Sequence, residues 1–494
     1  MIDQAFHPSL THPDSLYIDG TWVRPETDAI FTVIAAHSGS AFARVAEAGP
    51  ADIHRAIAAA RQAFDKGPWP RMSHVERAAW LNLIAQKLTE RAPALAAAQS
   101  NQMGILASLA APGSYAGTMI FTNYAALAET YPFVEQHKTI TGGAGLLVHE
   151  PVGVVAAIVP WNAPLSLMAL KVAPALLAGC TMIVKASPEA PTEALILAEI
   201  CDEIGLPAGV INVVTADRAV SELLVRHPDV DKVSFTGSSA AGRQIAAICG
   251  ERIARCTLEL GGKSAAVLLE DYDVEQAAQQ LAAPLMYMNG QVCAALTRIV
   301  VPRRRQAVFT DAMAAAFAAI KVGDPFAEDS QLGPLATESQ RHRVEGYIQR
   351  GQAEGATLAA GGKRPAQCNA GWFVEPTLFC DVNPNATIAQ EEIFGPVAVI
   401  IPADDEDHAI AIANNSPFGL NSAVFTQDPQ DAWRVGRQIR AGTVGHNGFK
   451  VDFNIAFGGF KQSGIGREGG AIGLRAYLEP KTMLIDAAED WVPA

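Results

Sequence analysis

Between residues 51 and 100 apolar positions recur near every 3.6 residues in Ala-rich runs such as ADIHRAIAAARQAF and ERAAWLNLIAQKL, predicting helices over one face of a sheet. From residue 151 the pattern changes to short β-branched runs alternating with helical ones. VGVVAAIV, TMIVKA, VINVV and KVSFTG read as strands, and LKVAPALLAGC and TEALILAEICDEIG as the helices between them. Such alternation predicts an α/β fold with a mostly parallel sheet. A second α/β section starts near LELGGKSAAVLLE, passes through helices predicted at 274–288 and 304–320, and reaches strands such as GPVAVIIPA. It is expected to form the other wall of a cleft. The segment 361–372, GGKRPAQCNAGW, reads as a surface loop, and no repeat or long low-complexity linker occurs.

Residues 152–170, VGVVAAIVPWNAPLSLMAL, run uncharged for about the length of a membrane-spanning helix. Gly153, Pro160, Asn162 and Pro164 interrupt the run, and its first half is β-branched. It reads as a buried strand, a loop and a helix start, so no membrane span is expected. TYPFVEQHKTITGGAGLLVHE at 130–150 and the tail GLRAYLEPKTMLIDAAED alternate like strands on exposed arms, a pattern suited to self-association.

A chain of 494 residues exceeds what one core usually supports, so two or three packed units sharing a cleft are expected. The net charge of -14 opposes binding to phosphate backbones, which argues against a nucleic-acid partner. Seven cysteines, at 180, 201, 249, 256, 293, 368 and 380, are widely spread and form no CxxC pair. They read as free thiols in a reducing compartment, with no metal site. The start MIDQAFHPSL lacks the basic and apolar regions of a secretory signal, which places the protein in the cytoplasm.

In NGQVCAALTR, residues 289–298, Gly290 gives the backbone room beside Cys293. A helix continuing beyond Cys293 would put its sulfur near a helix N-terminus, where the dipole favours a thiolate. Read alone, Cys293 fits a small buried hydrophobe better. Upstream, Glu259 ends the strand-like TLE before Gly261 and Gly262, as a general base or as a salt-bridged acid beside a turn. In PWNAP, Asn162 offers an amide donor for an oxyanion, or caps a loop that Trp161 plugs. FTGSSAAG (235–242) follows a strand and opens a helix, so its N–H groups can face a pyrophosphate, although the three-glycine fingerprint is absent. Alone, that turn reads better as a helix cap.

Together PWN, LELGGKS, NGQVC, EEIFGP at 391–396 and FGGFKQSGIGRE at 457–468 resemble the aldehyde dehydrogenase superfamily, in order and over nearly the whole chain. The resemblance implies a Rossmann-like dinucleotide-binding domain (1–127 and 150–260), an α/β catalytic domain (261–462), and a small β oligomerisation arm with the C-terminal tail (128–149 and 463–494). It also implies a homodimer or homotetramer. By resemblance, Cys293 attacks an aldehyde, Asn162 and the Cys293 N–H hold the oxyanion, and hydride passes to a nicotinamide, leaving a thioester. Glu259 then activates water, with Lys171 and Glu468 as a proton relay or, equally, as salt-bridge partners.

The same resemblance assigns the pyrophosphate turn to Phe235, Thr236, Gly237, Ser238 and Gly242, and the adenosine ribose to Lys185 with Ser187 and Glu189. Glu392 and Phe394 match residues at the nicotinamide ribose and ring, and Val159, Pro160, Trp161, Leu260 and Gly261 complete the cofactor set. Two positions depart from the family pattern. Pro188 stands where an acid is usual, with Glu189 one step later, and VVTADRAVSELL (213–224) replaces a glycine-rich turn. NAD is favoured and NADP is admitted, since no arginine stands beside Lys185.

Positions matching the family's aldehyde tunnel are Ala163, Leu167, Leu170, Met288, Val292, Ala294, Phe453 and Phe457, all apolar. Small Ala163 and Leu170 leave room for a bulky or long-chain aldehyde, while Lys450 and Asp452 keep a charged substrate open. A CoA-acylating dehydrogenase is the enzymatic rival, and its branches tend to lack the water-activating glutamate. A non-catalytic member would have lost Cys293, Glu259 or Asn162, and all three are present.

Overall fold

The computed structural model describes residues 10–489 and 491. The N-terminal stretch on which the absence of a secretory signal was read lies outside them, except for Leu10. An eight-stranded sheet runs, edge to edge, Gly464–Ile465, Arg255–Glu259, Lys232–Thr236, Val154–Ile158, Thr181–Ala186, Ile211–Thr215, Leu16–Ile18 and Thr21–Val23. Its five central strands are parallel. Alternation along Val154–Ile158 divides its side chains between two cores. Val154, Ala156 and Ile158 pack with Ile53, Ala56, Ile57 and Ala60 of the helix Pro50–Lys66. Val155, Ala157 and Val159 pack with the helices Pro164–Ala178, His74–Glu90 and Ala107–Thr130 on the opposite face. The helices of 51–100 therefore cover both faces rather than one, because a buried parallel sheet is apolar on each side and needs two helical layers.

A seven-stranded sheet, in the order Thr357–Ala360, Thr377–Cys380, Val397–Ala403, Arg298–Pro302, Ala265–Leu268, Asn421–Phe425 and Thr443–His446, forms the second wall. Only its edge strand Thr357–Ala360 is antiparallel. Leu478–Ile485, Ala144–Pro151 and Val134–His137 make a separate three-stranded antiparallel arm, and most of Leu478–Ile485 is exposed. Among the described residues no helix is long and apolar enough to cross a membrane. The run at 152–170 instead splits into the strand Val154–Ile158 and a helix that Pro164 opens at its first turn.

The two sheets meet where Glu259 ends a strand of the first and Ala265 begins a strand of the second. Every step of this five-residue crossing is tied. The Leu260 N–H donates to the Ser463 carbonyl (2.9 Å), the Gly262 N–H to Glu392 Oε1 (3.1 Å), and Ser463 Oγ to the Gly261 carbonyl (2.8 Å). Arg298, buried at 1% exposure, donates to the carbonyls of Lys263 (2.8 Å), Ile412 (3.1 Å), Ala413 (2.8 Å) and Asn415 (3.2 Å). Its cation thus sits on the C-terminal carbonyls of the helix Glu406–Asn414, where the helix dipole is negative. Replacing Arg298 by Met strips the donors from those buried carbonyls, and unfolding should become easier by about 3 kcal/mol. Chemical denaturation measures this directly, and a midpoint equal to the parent's would refute the assigned role.

Candidate active site

Cys293 lies where two cavities meet. The larger, about 990 Å³, and the smaller, about 250 Å³, share both Cys293 and Asn162 in their walls. The helix expected up to 288 ends at Met286, and Met288, Asn289 and Gly290 then turn through left-handed backbone, with φ of 49°, 58° and 73°. Such strain at non-glycine residues persists only where surrounding contacts enforce it. Here Asn289 Nδ2 donates to the carbonyls of Gly104 (2.9 Å) and Pro334 (2.7 Å), and its Oδ1 accepts from Gly333 N–H (2.9 Å). Gln291 Oε1 accepts from Ala336 N–H (2.9 Å). A Cβ on Gly290 would meet the Gly395 carbonyl carbon at 2.3 Å, so the turn also packs backbone against backbone.

No helix follows Cys293. A turn leads instead to the strand Arg298–Pro302, so the expected helix dipole does not act on the sulfur. The backbone N–H groups of Ala294 and Cys293 face it in place of a helix end, while burial first, and then Glu392 and Glu259, push the thiol up to about 12. The group is thus a protonated thiol at neutral pH. Asn162, 8% exposed, donates from Nδ2 to the Gln291 carbonyl (2.9 Å), which fixes its amide beside Cys293.

Glu259 is 2% exposed, and neither carboxyl oxygen has a hydrogen-bond partner among the described residues. Burial, reinforced by Glu468, holds its carboxyl well above the usual range, with Lys171 and Arg467 opposing. Lys171 and Glu468 form a fully buried ion pair, Nζ to Oε1 at 2.5 Å, and Lys171 also donates to Thr236 Oγ1 at 2.7 Å. Glu468 Oε2 is left unpartnered.

The smaller cavity brings together Pro160, Trp161, Thr236, Gly237, Ser238, Leu260, Gly261, Glu392 and Phe394. Gln340 and Arg343, which the sequence motifs did not reveal, complete its wall. Gln340 Nε2 donates to the Phe394 carbonyl (2.6 Å) and Arg343 Nη2 to the Glu392 carbonyl (2.6 Å). Phe394 is left-handed (φ 64°) and meets Trp161 edge-to-face at 5.4 Å. Burial pushes Glu392 up to about 7. Phe235 and Gly242 lie behind this wall, Gly242 so close to Leu260 that a Cβ would approach Cδ2 to 2.4 Å. Val159 N–H bonds the Lys185 carbonyl (3.1 Å), and Lys185, Ser187 and Glu189 stand at the end of the neighbouring strand. A dinucleotide fits this edge: Ser238 caps the helix Ser239–Glu251 by accepting from the Ala241 N–H, and Glu259 is a buried carboxyl whose oxygens have no hydrogen-bond partner among the described residues. Among the described residues no group of acids, histidines and cysteines could hold a metal ion.

The larger cavity is lined by Ala163, Leu167, Met288, Val292, Ala294, Phe453 and Phe457 of the tunnel positions that the resemblance named. Leu170 is not among them. It is fully buried in the first sheet's core, because at the start of the helix Pro164–Ala178 the N-cap Ala163, Ser166 and Leu167 face the cavity and Leu170 turns inward. Leu106, Leu109, Tyr287, Phe449 and Val451 add apolar wall that the sequence did not reveal. Lys450 and Asp452 are exposed and point away, since alternation from Phe449 to Phe453 turns only the odd positions inward.

The family model for the aldehyde dehydrogenase family matches residues 22–483. A geranial dehydrogenase of Castellaniella defragrans is 41% identical over 471 residues, covering 95% of this chain and 98% of that one. A Mycobacterium tuberculosis aldehyde dehydrogenase solved with NAD+ superposes with a TM-score of 0.95 at 41% identity, covering 98% of this chain and 100% of the other. A mutant form of aldehyde dehydrogenase C from Pseudomonas syringae, solved with NAD+ and octanal, gives 0.93 at 38% identity and 98% coverage of both. With these matches spanning nearly its full length, the chain belongs to the aldehyde dehydrogenase family.

Proposed function

We propose that the protein oxidises an aldehyde with a long or bulky hydrocarbon body to the carboxylic acid, using NAD+ and water. The observation that carries this reading is the junction itself: Cys293 and Asn162 border both cavities, with the unpaired carboxylate of Glu259 in the smaller one. Cys293 Sγ adds to the carbonyl carbon as its S–H bond breaks, and the proton passes to water. The Asn162 amide and the Cys293 N–H stabilise the negative oxygen. A bound nicotinamide supplies the hydride acceptor, and a thioester remains on Cys293. Glu259 removes a proton from water as it attacks that thioester, and the Lys171–Glu468 pair next to it carries the proton onward. Transfer to coenzyme A would need no such internal base, so the hydrolytic reading is preferred.

Among the described residues no charged side chain lines the large cavity, which supports an apolar substrate, and the octanal held by the Pseudomonas relative is an aldehyde of that kind. Within this reading the first sheet with its helices binds the cofactor, the second presents Cys293, and the three-stranded arm pairs subunits into a dimer or tetramer. Seven free cysteines suit the cytoplasm.

Following reduced-cofactor absorbance across an aldehyde panel, we expect medium-chain aldehydes to exceed acetaldehyde in kcat/KM. Ala163→Trp should lower the long-chain value roughly tenfold while sparing acetaldehyde. Turnover that required added coenzyme A would overturn the hydrolytic role. Cys293→Ala should abolish turnover and retain NAD+ binding by calorimetry. Because the Glu259 pKa is raised, the base form is gained as pH rises, so kcat should climb with pH through that ionisation. Glu259→Gln should lose this limb and about 10²–10⁴ of the rate; an unchanged pH profile would exclude Glu259 as the base.

A further inference from the structure

Two of the seven cysteines face each other away from both cavities. Cys249 lies in the last turn of the helix Ser239–Glu251, and Cys256 is the second residue of the strand Arg255–Glu259. On the helix, Ile245 and Cys249 stand one turn apart and are both buried against the first sheet. On the strand, alternation turns Cys256 and Leu258 into that same core and Thr257 and Glu259 away from it. The two thiols meet there and are hydrogen-bonded to each other. The chain between them is short and well tied. The Ala254 N–H bonds the Cys249 carbonyl (2.9 Å), and the Arg255 N–H bonds the Asp231 carbonyl (3.1 Å). Arg252 donates to the carbonyls of Val225 (2.9 Å) and Val230 (2.7 Å). These bonds hold the β-branched Ile253 in left-handed backbone, with φ of 56°. A turn so tied keeps the two sulfurs adjacent.

Solvent reaches only one of the pair. The short strand Gly464–Ile465 pairs with Leu258 and Glu259, so among the described residues no strand covers the outer edge at Cys256. Cys256 is half-buried there, whereas Cys249 is fully buried. The hydrogen bond to Cys249, aided by the buried ammonium of Lys232, draws the Cys256 thiol down to about 7 against the effect of burial. The same bond, and then burial, push Cys249 up. Burial also pushes up the other five, at 180, 201, 293, 368 and 380. At neutral pH, Cys256 thus has a large thiolate fraction and Cys249 is a thiol beside it. An accessible thiolate next to a thiol that can resolve its oxidised form is the arrangement on which peroxide acts.

We propose that Cys256 and Cys249 form a peroxide-reactive site that closes to a reversible disulfide, separate from the chemistry at Cys293. Cys256 Sγ attacks one oxygen of hydrogen peroxide. The O–O bond breaks, an S–O bond forms, and the departing hydroxide takes up a proton to leave as water. Cys249 Sγ then attacks the sulfur of the Cys256 sulfenic acid and gives its proton to the leaving hydroxyl. The S–O bond breaks, an S–S bond forms, and a second water leaves. Peroxide gains two electrons and the pair of thiols loses two. A small dithiol reverses the step by exchange.

The test is peptide mapping by mass spectrometry of the full chain after treatment with hydrogen peroxide, with the remaining thiols alkylated. Tryptic cleavage after Arg252 and Arg255 puts the two cysteines on separate peptides, so a link between them is read directly. The parent should give the Cys249–Cys256 linked pair, and dithiothreitol should return both peptides to free thiols. Cys249→Ser keeps a hydrogen-bond donor beside Cys256 but cannot close the bond. It should accumulate a Cys256 sulfenic acid that dimedone labels at least roughly tenfold more than in the parent. The link should form equally in Cys293→Ala. A parent in which peroxide leaves both thiols free, or links Cys256 to a different cysteine, would by itself overturn the proposal. So would loss of the link in Cys293→Ala, which would route the oxidation through the aldehyde site.

Discussion

The close contact between the crossing at 260–264 and the turn around Cys293 is the constraint on which the site depends. A Cβ on Gly262 would stand 2.3 Å from the Cys293 carbonyl oxygen, so only a glycine lets the two backbones touch. That contact joins the end of one sheet to the loop entering the other, and it brings Glu259 and Cys293 to opposite sides of a single junction. Arg298 locks it from beneath, and Ser463 and Glu392 from the sides. The reacting groups are therefore held by backbone and by buried hydrogen bonds rather than by their own side-chain contacts, which leaves Glu259 free of partners.

Freedom from partners is what gives a buried carboxylate chemical use. A Glu259 bonded to a cation would be ionised but poorly basic; unpaired and desolvated, it has a raised pKa and binds a proton more readily. The neighbouring Lys171–Glu468 pair shows the contrast, since there the lysine neutralises the acid within one buried unit. The same logic applies to Cys293, whose thiol is kept protonated by burial rather than primed by a helix end. Its activation on the proposed path is tied to proton removal and to the donors that receive the developing oxyanion.

Much of this was legible in the sequence because it rests on local pattern. The alternating strands around 154 and 232 and the glycines at 261 and 262 declare themselves by spacing, whereas tunnel positions such as Val292 and Phe457 came from the family resemblance. What stayed hidden arises from chain segments meeting far apart in sequence. Gln340 and Arg343 lie on a helix whose pattern gives no hint that it borders the smaller cavity. Leu170 was misplaced because one step around a helix separates cavity from core. The helix expected after Cys293 failed for a local reason that was partly visible: Asn289–Gly290 is a turn signal, and here it directs the chain into a strand.

The central claim is that Cys293 carries a thioester which Glu259 helps water to cleave, and intact-protein mass spectrometry tests it most directly. Glu259→Gln mixed with octanal and NAD+ should accumulate the octanoyl adduct on Cys293, discharged far more slowly than in the parent. Absence of any adduct while reduced cofactor still forms, or an adduct released as fast as in the parent, would contradict the account.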